Sequence, residues 1–484
     1  MALVDLLNAV GILFAVYALL VTIFIISENR TPQSTFGWLF FLYLTPIVGV
    51  LFYYFLGRGS HAFSQERKIA RHELGNEFLR DLGPLLARKE AITSRLANEK
   101  PESYQRRLVN MVHENSSSML TERNEVEILQ DAAQKYPRLL EDIRAAQSYI
   151  HLNYYIWTED DFTLEVKSAL IERAQAGVEV RCLYDTSGGG LSKQYIQDLQ
   201  LAGVHIYPYL DYRSLTRLHT ANYRSHRKIA IVDGKIGYVG GLNLDVEQIK
   251  PPGFDAWRDT HLRIVGEAAH ALQATFVISW FNTTGEKITG EKYYPAVETD
   301  NFLPVQIVQS GPDSQWKAIR QLYFLMIMSA EEKIYLQSPF FIPDESILEA
   351  LRAAALAGVD VRIICTPRGS TYQIPYRAAH TYFKDVVKAG AKVYLYEGGY
   401  FHPKTMNIDN KVITVGTANM DIRSFSLNYE TQAIVYDTEK AKELEVQFLK
   451  DLEHSEEWTL EAYKSLSPIH RFIDSVYRLA SPVL

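Results

Sequence analysis

The sequence predicts an α/β protein in which two copies of one α/β sandwich domain follow an N-terminal hairpin of two transmembrane helices. Three observations support this fold class. Two uncharged apolar stretches lie in the first sixty residues, three short landmarks recur about 180 residues apart, and one spaced set of polar residues occurs once in each copy. The length of 484 residues leaves room for about three domains at roughly 150 residues each.

Composition excludes several classes of protein. The formal net charge of −7 argues against a chain whose affinity comes from a basic nucleic-acid footprint. The two cysteines, Cys182 and Cys365, cannot form a disulfide framework or a four-thiolate metal site, and they suit a reducing compartment. We therefore expect no nucleic-acid partner.

The first element, at 1–59, is predicted to be a membrane hairpin. Residues 6–27 and 31–57 carry no charge, and each stretch is long enough as a helix to cross a ~30 Å hydrocarbon core, the second with Pro46 inside it. Asp5 stands where a cleaved signal peptide would have basic residues, which favours a retained helix. Basic residues follow the second stretch and predict that the rest of the chain is cytoplasmic: Arg58, Arg67, Lys68 and Arg71.

The next element, at 60–125, is a charged linker with helical spacing of its apolar residues. An ordinary amphipathic helix packed on the domains is one interpretation, and a helix lying in the headgroup plane is the other. A duplicated domain follows, predicted at 126–292 and 293–484. Three segments of the first copy are echoed in the second: IRAAQSYIHLNYYIW by IMSAEEKIYLQSPFF, AGVEVRCLYD by AGVDVRIICT, and AGVHIYPY by AGAKVYLY. Buried β-branched runs alternate with helical stretches at 163–175 and 345–356, which is typical of an α/β sandwich.

Each copy also contains the pattern H-x-K-x4-D-x6-G-x2-N. Its members are His226, Lys228, Asp233 and Asn243 in the first copy, and His402, Lys404, Asp409 and Asn419 in the second. On a strand, residues two apart share a face, so each His and Lys can converge on one anion. The asparagine amides can donate to a phosphate oxygen. Asp233-Gly234 and Asp409-Asn410 are two-residue hairpin signals, which leaves the aspartates with either a turn role or a direct role in the site.

Two histidines suit phosphodiester exchange, because one can attack phosphorus while the other protonates the leaving alkoxide. The lysines would stabilise the charge that builds on the phosphate oxygens. No carboxylate cluster or H-E-x-x-H pattern accompanies the histidines, so we predict a reaction without metal or other cofactor.

At these residues the sequence resembles the phospholipase D superfamily, whose hallmark is a duplicated H-K-D motif. Over essentially all of its length it resembles the bacterial cardiolipin synthases, on the membrane segment and on the strings SGPDSQW, SPFFIPDESIL, GTANMDIRSFSLNYE and RLASPVL. The resemblance implies transfer of a phosphatidyl group from one phosphatidylglycerol to another, giving cardiolipin and glycerol through a phosphatidyl-histidine. It also implies a multi-pass protein of the bacterial cytoplasmic membrane, with its catalytic domains on the cytoplasmic side.

Carried over residue by residue, the resemblance makes His226 the nucleophile and His402 the acid and then the base. It makes Asp259 and Glu430 the acidic residues that orient the histidine rings. The chain departs from the family at Gly241 and Thr417, where many members have serine, and at Pro403 inside the second motif.

Alternatives stay open at this point. Attack by water would make the protein a phospholipase D, and phosphatidylethanolamine could replace one substrate. A catalytically inactive lipid-binding scaffold and a superfamily nuclease are further interpretations, which the two complete motifs and the negative charge disfavour. The sequence leaves both a monomer and a homo-oligomer open.

Overall fold

The computed structural model describes residues 2–57, 104–209, 211, 222–366 and 373–483. The predicted linker up to residue 103 and the basic residues after the apolar segment lie outside these ranges. The chain divides into two compact units, one made of Met1–Ser64 with Tyr212–Asn222 and the other of Gln65–Asp211 with Tyr223–Leu484.

The first unit contains one helix that is long and apolar enough to span a membrane, among the residues described. This helix, α1, covers Ala2–Ser27, and its span-length apolar part is Asn8–Ser27. Two shorter helices follow, α2 at Pro32–Leu44 and α3 at Pro46–Phe52, and a π-helical turn covers Tyr53–Gly57.

The second apolar stretch is not the single spanning helix that the sequence predicted. Helix α3 folds back along α2, because the rings of Trp38 and Tyr53 are 5.1 Å apart although fifteen residues separate them. A Cβ on Gly49 would lie 3.2 Å from the Cα of Leu42, so the two backbones touch. Pro46 lacks the N–H that a continuous helix needs and instead begins the new helix at its first position. With 13 residues, α2 is about 20 Å long, which is too short to cross ~30 Å.

Within the described part of the chain, the second unit is built on one sheet of 16 strands, and four further short strands form two separate two-stranded sheets. The strands of its first half are β1 Leu120–Leu129, β2 Tyr149–Tyr154, β3 Glu179–Asp185, β4 His205–Tyr209, β5 Arg224–Ser225, β6 Lys228–Val232, β7 Ile236–Gly240, β8 Trp257–Arg258 and β9 His261–Gly266. Those of its second half are β10 Phe302–Ser310, β11 Lys333–Gln337, β12 Phe341–Ile342, β13 Asp360–Cys365, β14 Lys392–Tyr396, β15 Tyr400–Phe401, β16 Thr405–Ile408, β17 Val412–Gly416, β18 Met420–Asp421, β19 Asn428–Val435 and β20 Ser455–Trp458.

The order of the strands displays the duplication. The first half runs β1-β9-β7-β6-β2-β3-β4, and the second runs β10-β19-β17-β16-β11-β13-β14 with β20 added at the edge. Strands β1 and β10 pair antiparallel and join the halves into one sheet. In each half three strands are parallel (β2, β3, β4 and β11, β13, β14) and the others of this order are antiparallel. The predicted duplicated α/β architecture is confirmed.

Helices cover both faces of this sheet. They are α4 Tyr104–Ser116, α5 Ala132–Ala145, α6 Asp161–Gln175, α7 Lys193–Leu201, α8 Glu267–Thr284, α9 Ala318–Met328, α10 Glu345–Leu356, α11 Gln373–Lys388, α12 Ile422–Ser426, α13 Thr438–Glu453, α14 Leu460–Ser465 and α15 Pro468–Arg478. Along β2, Ile150 and Leu152 join the apolar cluster of α5 and α6, whereas His151 stacks on Phe276 of α8 at 4.4 Å. This alternation makes each half a sandwich.

The predicted linker is helical only in part of its described length. Helix α4 forms the beginning of this described part, but β1 begins at Leu120, six residues before the predicted start of the first domain. Strand β1 corresponds to β10 of the second half, and burial alternates along much of it. The charged residues of 120–125, LTERNE, which the prediction placed in the linker, therefore lie on this strand.

Candidate active site

Each motif histidine lies immediately after a short strand, His226 after β5 and His402 after β15, and is held by the opposite half of the unit. The His226 N–H donates to the Tyr429 carbonyl at 3.0 Å, and the His402 N–H donates to the Arg258 carbonyl at 2.8 Å. The short strand β5 pairs with β19, and β15 pairs with β8, so both approaches are tied across the duplication. The two histidines therefore meet in one place.

Each of the two acidic residues contacts the histidine of the other half. The Nδ1 of His226 lies 3.0 Å from each carboxylate oxygen of Glu430, and the Nδ1 of His402 lies 2.7 Å from Oδ2 of Asp259. Both carboxylates are fully buried, while the histidine side chains are 12% and 13% exposed. A carboxylate that accepts from Nδ1–H fixes the ring so that the unprotonated Nε2 is available to a substrate.

The two lysines lie behind the histidines. Lys228 Nζ donates to the His226 carbonyl at 2.8 Å, and Lys404 Nζ donates to the His402 carbonyl at 2.5 Å. Burial lowers the pKa of Lys228 to about 7 and that of Lys404 to about 8, against the opposing pull of Glu430 and Asp259. Two such ammonium groups next to one another are an electrostatic site for an anion.

The pKa values of the histidines are lowered for the same reason. Burial is the largest cause for both, the lysines add to it, and Glu430 and Asp259 partly oppose it. Burial raises the carboxylate pKa values, but the facing histidines and lysines outweigh it, so the net pKa of each carboxyl is lowered. With these shifts the carboxylates are charged and the imidazoles are neutral near pH 7.

The two asparagines differ in their environment. Asn243 accepts the Ile156 N–H at 3.1 Å through its Oδ1, so its amide nitrogen is the group left for a phosphate oxygen. Asn419 donates to Asp421 at 3.0 Å, and its buried Oδ1 has no hydrogen-bond partner among the described residues. Both residues line the same cavity as the two histidines.

The motif aspartates bind backbone N–H groups at the ends of β6 and β16 that lie away from the histidines, so a direct catalytic role, one of the two roles that the sequence left open, does not fit the structure. Asp233 accepts the N–H groups of residues 147, 148 and 149 at 2.8, 2.7 and 2.9 Å. Asp409 accepts those of residues 331, 332 and 333 at 3.0, 2.9 and 2.8 Å. Both residues have positive φ, 52° and 54°, in the hairpin turns β6–β7 and β16–β17. The turn role, which the residue pairs Asp-Gly and Asp-Asn suggested, is the one in the structure.

The departure at Gly241 has a steric cause. A Cβ on Gly241 would overlap the carboxylate of Asp259, so Asp259 in its present position requires glycine at residue 241. At the equivalent position, Thr417 donates its hydroxyl to Glu430 at 2.5 Å, and Asn428 donates to the same carboxylate at 3.1 Å. Each half therefore matches the residue after the motif glycine to its own acid, and the hydroxyl of Thr417 is used to bind Glu430.

A cavity of about 430 Å³ opens onto both histidines. Aromatic rings stand edge-on to each of them, Tyr155 at 5.1 Å from His226 and Trp257 at 5.4 Å from His402. Two arginines, Arg224 and Arg423, also line the cavity. Sequence reasoning missed these four residues. The repeat around YYIW and the string WRDTHL were available signals for the aromatic residues, but the arginines follow no repeated spacing.

This arrangement suits phosphoryl transfer through a covalent intermediate. Two Nε2 atoms face one cavity, two ammonium groups lie behind them, and buried carboxylates orient both rings. Among the residues described, no group of three or more His, Cys, Asp or Glu side chains is placed to hold a metal ion. Fold and site together define a protein of the phospholipase D type.

Comparison with known proteins identifies the family. The family model described as "Cardiolipin synthase, PLD-like domain" matches residues 139–274 and 323–452, and one described as "Phospholipase_D-nuclease N-terminal" matches 13–58. The chain is 37% identical to the cardiolipin synthase of Halalkalibacterium halodurans over 99% of its own length and 94% of that protein. It is also 37% identical to the major cardiolipin synthase ClsA of Bacillus subtilis, over 98% of both chains. The chain belongs to the cardiolipin synthase family of phospholipase D-like proteins.

A solved structure supports the fold. The phosphatidylserine synthase of Haemophilus influenzae superposes with a TM-score of 0.58 at 14% identity, covering 78% of this chain and 100% of its own. At this identity the likeness extends to the fold alone.

Proposed function

We propose that the protein is a cardiolipin synthase that transfers a phosphatidyl group from one phosphatidylglycerol to the hydroxyl of a second, releasing glycerol. The observation that carries this proposal is the pair of carboxylate-oriented histidines on one cavity, in a chain 37% identical to curated cardiolipin synthases along almost its whole length. The membrane lipids phosphatidylglycerol and cardiolipin are its substrate and product.

The reaction proceeds in two displacements. In the first, His226 Nε2 attacks phosphorus, and His402 gives a proton to the departing glycerol oxygen. This leaves a phosphatidyl group on His226. In the second, His402 removes the proton from the hydroxyl of another phosphatidylglycerol, whose oxygen attacks phosphorus and displaces His226. Lys228, Lys404, Asn243 and Asn419 hold the phosphate oxygens in both steps.

His402 must be protonated before the first step. Its lowered pKa comes from burial and from Lys404. A bound phosphodiester anion counteracts both effects, since its charge favours the imidazolium form and neutralises the lysines. Substrate binding therefore prepares the acid, and the same anion raises the pKa values of the lysines.

The membrane arrangement is also part of the proposal. Helix α1 crosses the bilayer, and the α2–α3 hairpin enters and leaves it on the side where α1 ends. The chain after Gly57, which carries the basic residues of the sequence prediction, then lies on the cytoplasmic side of the bacterial inner membrane. The family relationship and the apolar helix support a membrane protein, and the positive-inside rule supports the orientation.

The test is incubation of the purified protein with phosphatidylglycerol alone in the presence of a chelator, with lipids and glycerol resolved by mass spectrometry. We expect cardiolipin and glycerol in equal amounts. Phosphatidic acid as the main product would make the protein a hydrolase. Turnover only after phosphatidylethanolamine is added would identify that lipid as the second substrate. Activity that is lost with the chelator and restored by one metal would contradict the metal-free reaction.

A further inference from the structure

The helix α15, Pro468–Arg478, presents its apolar face outward. Four side chains on one face of this helix and its C-terminal cap are exposed by 47% to 79%: Ile469, Phe472, Val476 and Leu479. Their spacing of three, four and three residues places them in one stripe along the helix. A surface helix of a globular protein normally turns such a stripe toward the core.

The polar side of α15 is the one that packs on the domain. Asp474 is 1% exposed and accepts from His380 Nδ1 at 3.1 Å and from Arg377 Nη1 at 3.4 Å, both on α11. Arg478 lies 3.4 Å from Asp385, also on α11. These contacts fix the rotation of α15, so the exposure of the apolar stripe follows from the fold.

Positive charge lies beside the stripe at Phe472. A shallow groove of about 490 Å³ beside Phe472 is lined by Lys384, Lys388, Lys464 and Arg471, and no carboxylate of the described part of the chain lines it. Acyl chains would meet the stripe and anionic headgroups would meet these cations, which is the charge and polarity pattern of an interfacial helix.

We propose that the α15 face, defined as Ile469, Phe472, Val476 and Leu479 with the four cations of the groove, docks on a bilayer surface containing anionic lipid. The proposal rests on the proposed function in one respect, that the protein resides in a membrane whose phosphatidylglycerol it consumes. Charge complementarity favours anionic lipid as the occupant of this basic face. The α15 face of a second copy is equally basic and would repel it, although the chain as a whole has a net charge of −7. Docking would hold the catalytic domains at the headgroup layer, where both lipid substrates are.

The experiment uses the full-length protein in nanodiscs with one molecule per disc. Cys182 and Cys365 are buried at 0% and 2% exposure, so an engineered exposed cysteine can be labelled selectively. Phe472→Cys carries an environment-sensitive fluorophore, and Leu201→Cys, at a residue 86% exposed in the first domain, is the matched control. Discs contain phosphatidylglycerol with either ordinary or brominated acyl chains.

We expect a blue shift and quenching by brominated chains for the label at 472 and neither effect for the label at 201. Lys384→Glu combined with Lys464→Glu should abolish most of the quenching at 472. A label at 472 that stays in water in these discs would overturn the proposal. A blue shift that depends on protein concentration and not on brominated lipid would overturn it in favour of contact between copies.

The outcome does not depend on turnover. Quenching in a protein that makes no cardiolipin would support the docking face and contradict the proposed function. Cardiolipin synthesis without quenching would do the reverse.

Discussion

The exchange of carboxylates between the halves leads to a prediction about which chemical step each carboxylate supports. Glu430→Gln changes the partner of His226, and Asp259→Asn changes that of His402. In the first variant the amide meets three donors that the carboxylate now satisfies, namely His226 Nδ1, the Thr417 hydroxyl and the Asn428 amide. An amide has a single acceptor oxygen, so its NH2 group turns toward the ring and forces the proton onto Nε2.

A histidine protonated at Nε2 in its neutral form cannot attack phosphorus. We expect a loss of about 10³- to 10⁴-fold in the rate of phosphatidyl-histidine formation, comparable to the loss when a Ser-His-Asp triad keeps its geometry but has the wrong tautomer. This corresponds to about 4 to 5 kcal/mol of activation free energy. The pKa of His226 should fall further, because Glu430 is the group that raises it.

The assay compares phosphatidylglycerol with a synthetic phosphatidyl ester of p-nitrophenol, whose leaving group needs no proton. Glu430→Gln should slow the burst on both substrates. Asp259→Asn should slow glycerol release but keep a near wild-type burst of nitrophenolate, because the acid is then unnecessary. Asp142→Asn is the control, since Asp142 is a buried carboxylate bonded to Arg263 and does not line the cavity.

Asp142→Asn should melt at a lower temperature and keep its burst rate per folded molecule. The reverse pattern for the two site variants would make His402 the nucleophile. Equal losses on both substrates for both variants would refute the division of roles.

Four further predictions follow from the site and the fold. First, burial lowers the pKa values of Lys228 to about 7 and Lys404 to about 8, so kcat/KM for phosphatidylglycerol should fall as pH rises through about 7 to 8, while kcat, measured with the phosphodiester bound, should fall only at higher pH. Second, Asp233→Ala leaves three N–H groups without their acceptor, so the free energy of unfolding should drop by about 2 to 4 kcal/mol with kcat retained, as measured by denaturation and initial rates. Third, Gly241→Ala should displace the Asp259 carboxylate from His402 and reduce kcat about 100-fold without a comparable change in KM. Fourth, Ile47→Cys at the tip of the α2–α3 hairpin should resist a membrane-impermeant maleimide added to either side of sealed vesicles. Labelling from the side opposite the catalytic domains would contradict the hairpin and indicate a second spanning helix.

Sequence reasoning reached the duplicated sandwich and most of the site because these depend on local patterns. The repeated landmarks correspond to strands β2, β3 and β4 and to β11, β13 and β14, and the hairpin turns lie at Asp233 and Asp409. The same analysis named Glu430 and Asp259 but could not assign their partners, because each contact joins residues more than 140 positions apart. It was wrong about the second membrane helix, since hydropathy measures how apolar a segment is and not where the chain reverses at Pro46.

The crosswise pairing of acids and histidines also bears on how this chain could have arisen. A single half has a histidine without its carboxylate and a carboxylate without its histidine, so its chemistry would be complete only in a symmetric pair of identical chains. Joining two such chains end to end preserves the pair and removes the requirement that both members be identical. Gly241 with Asp259 on one side, and Thr417 with Glu430 on the other, are the kind of difference that only the fused protein can accumulate. Fusion thus allows one histidine to specialise in attack and the other in proton transfer.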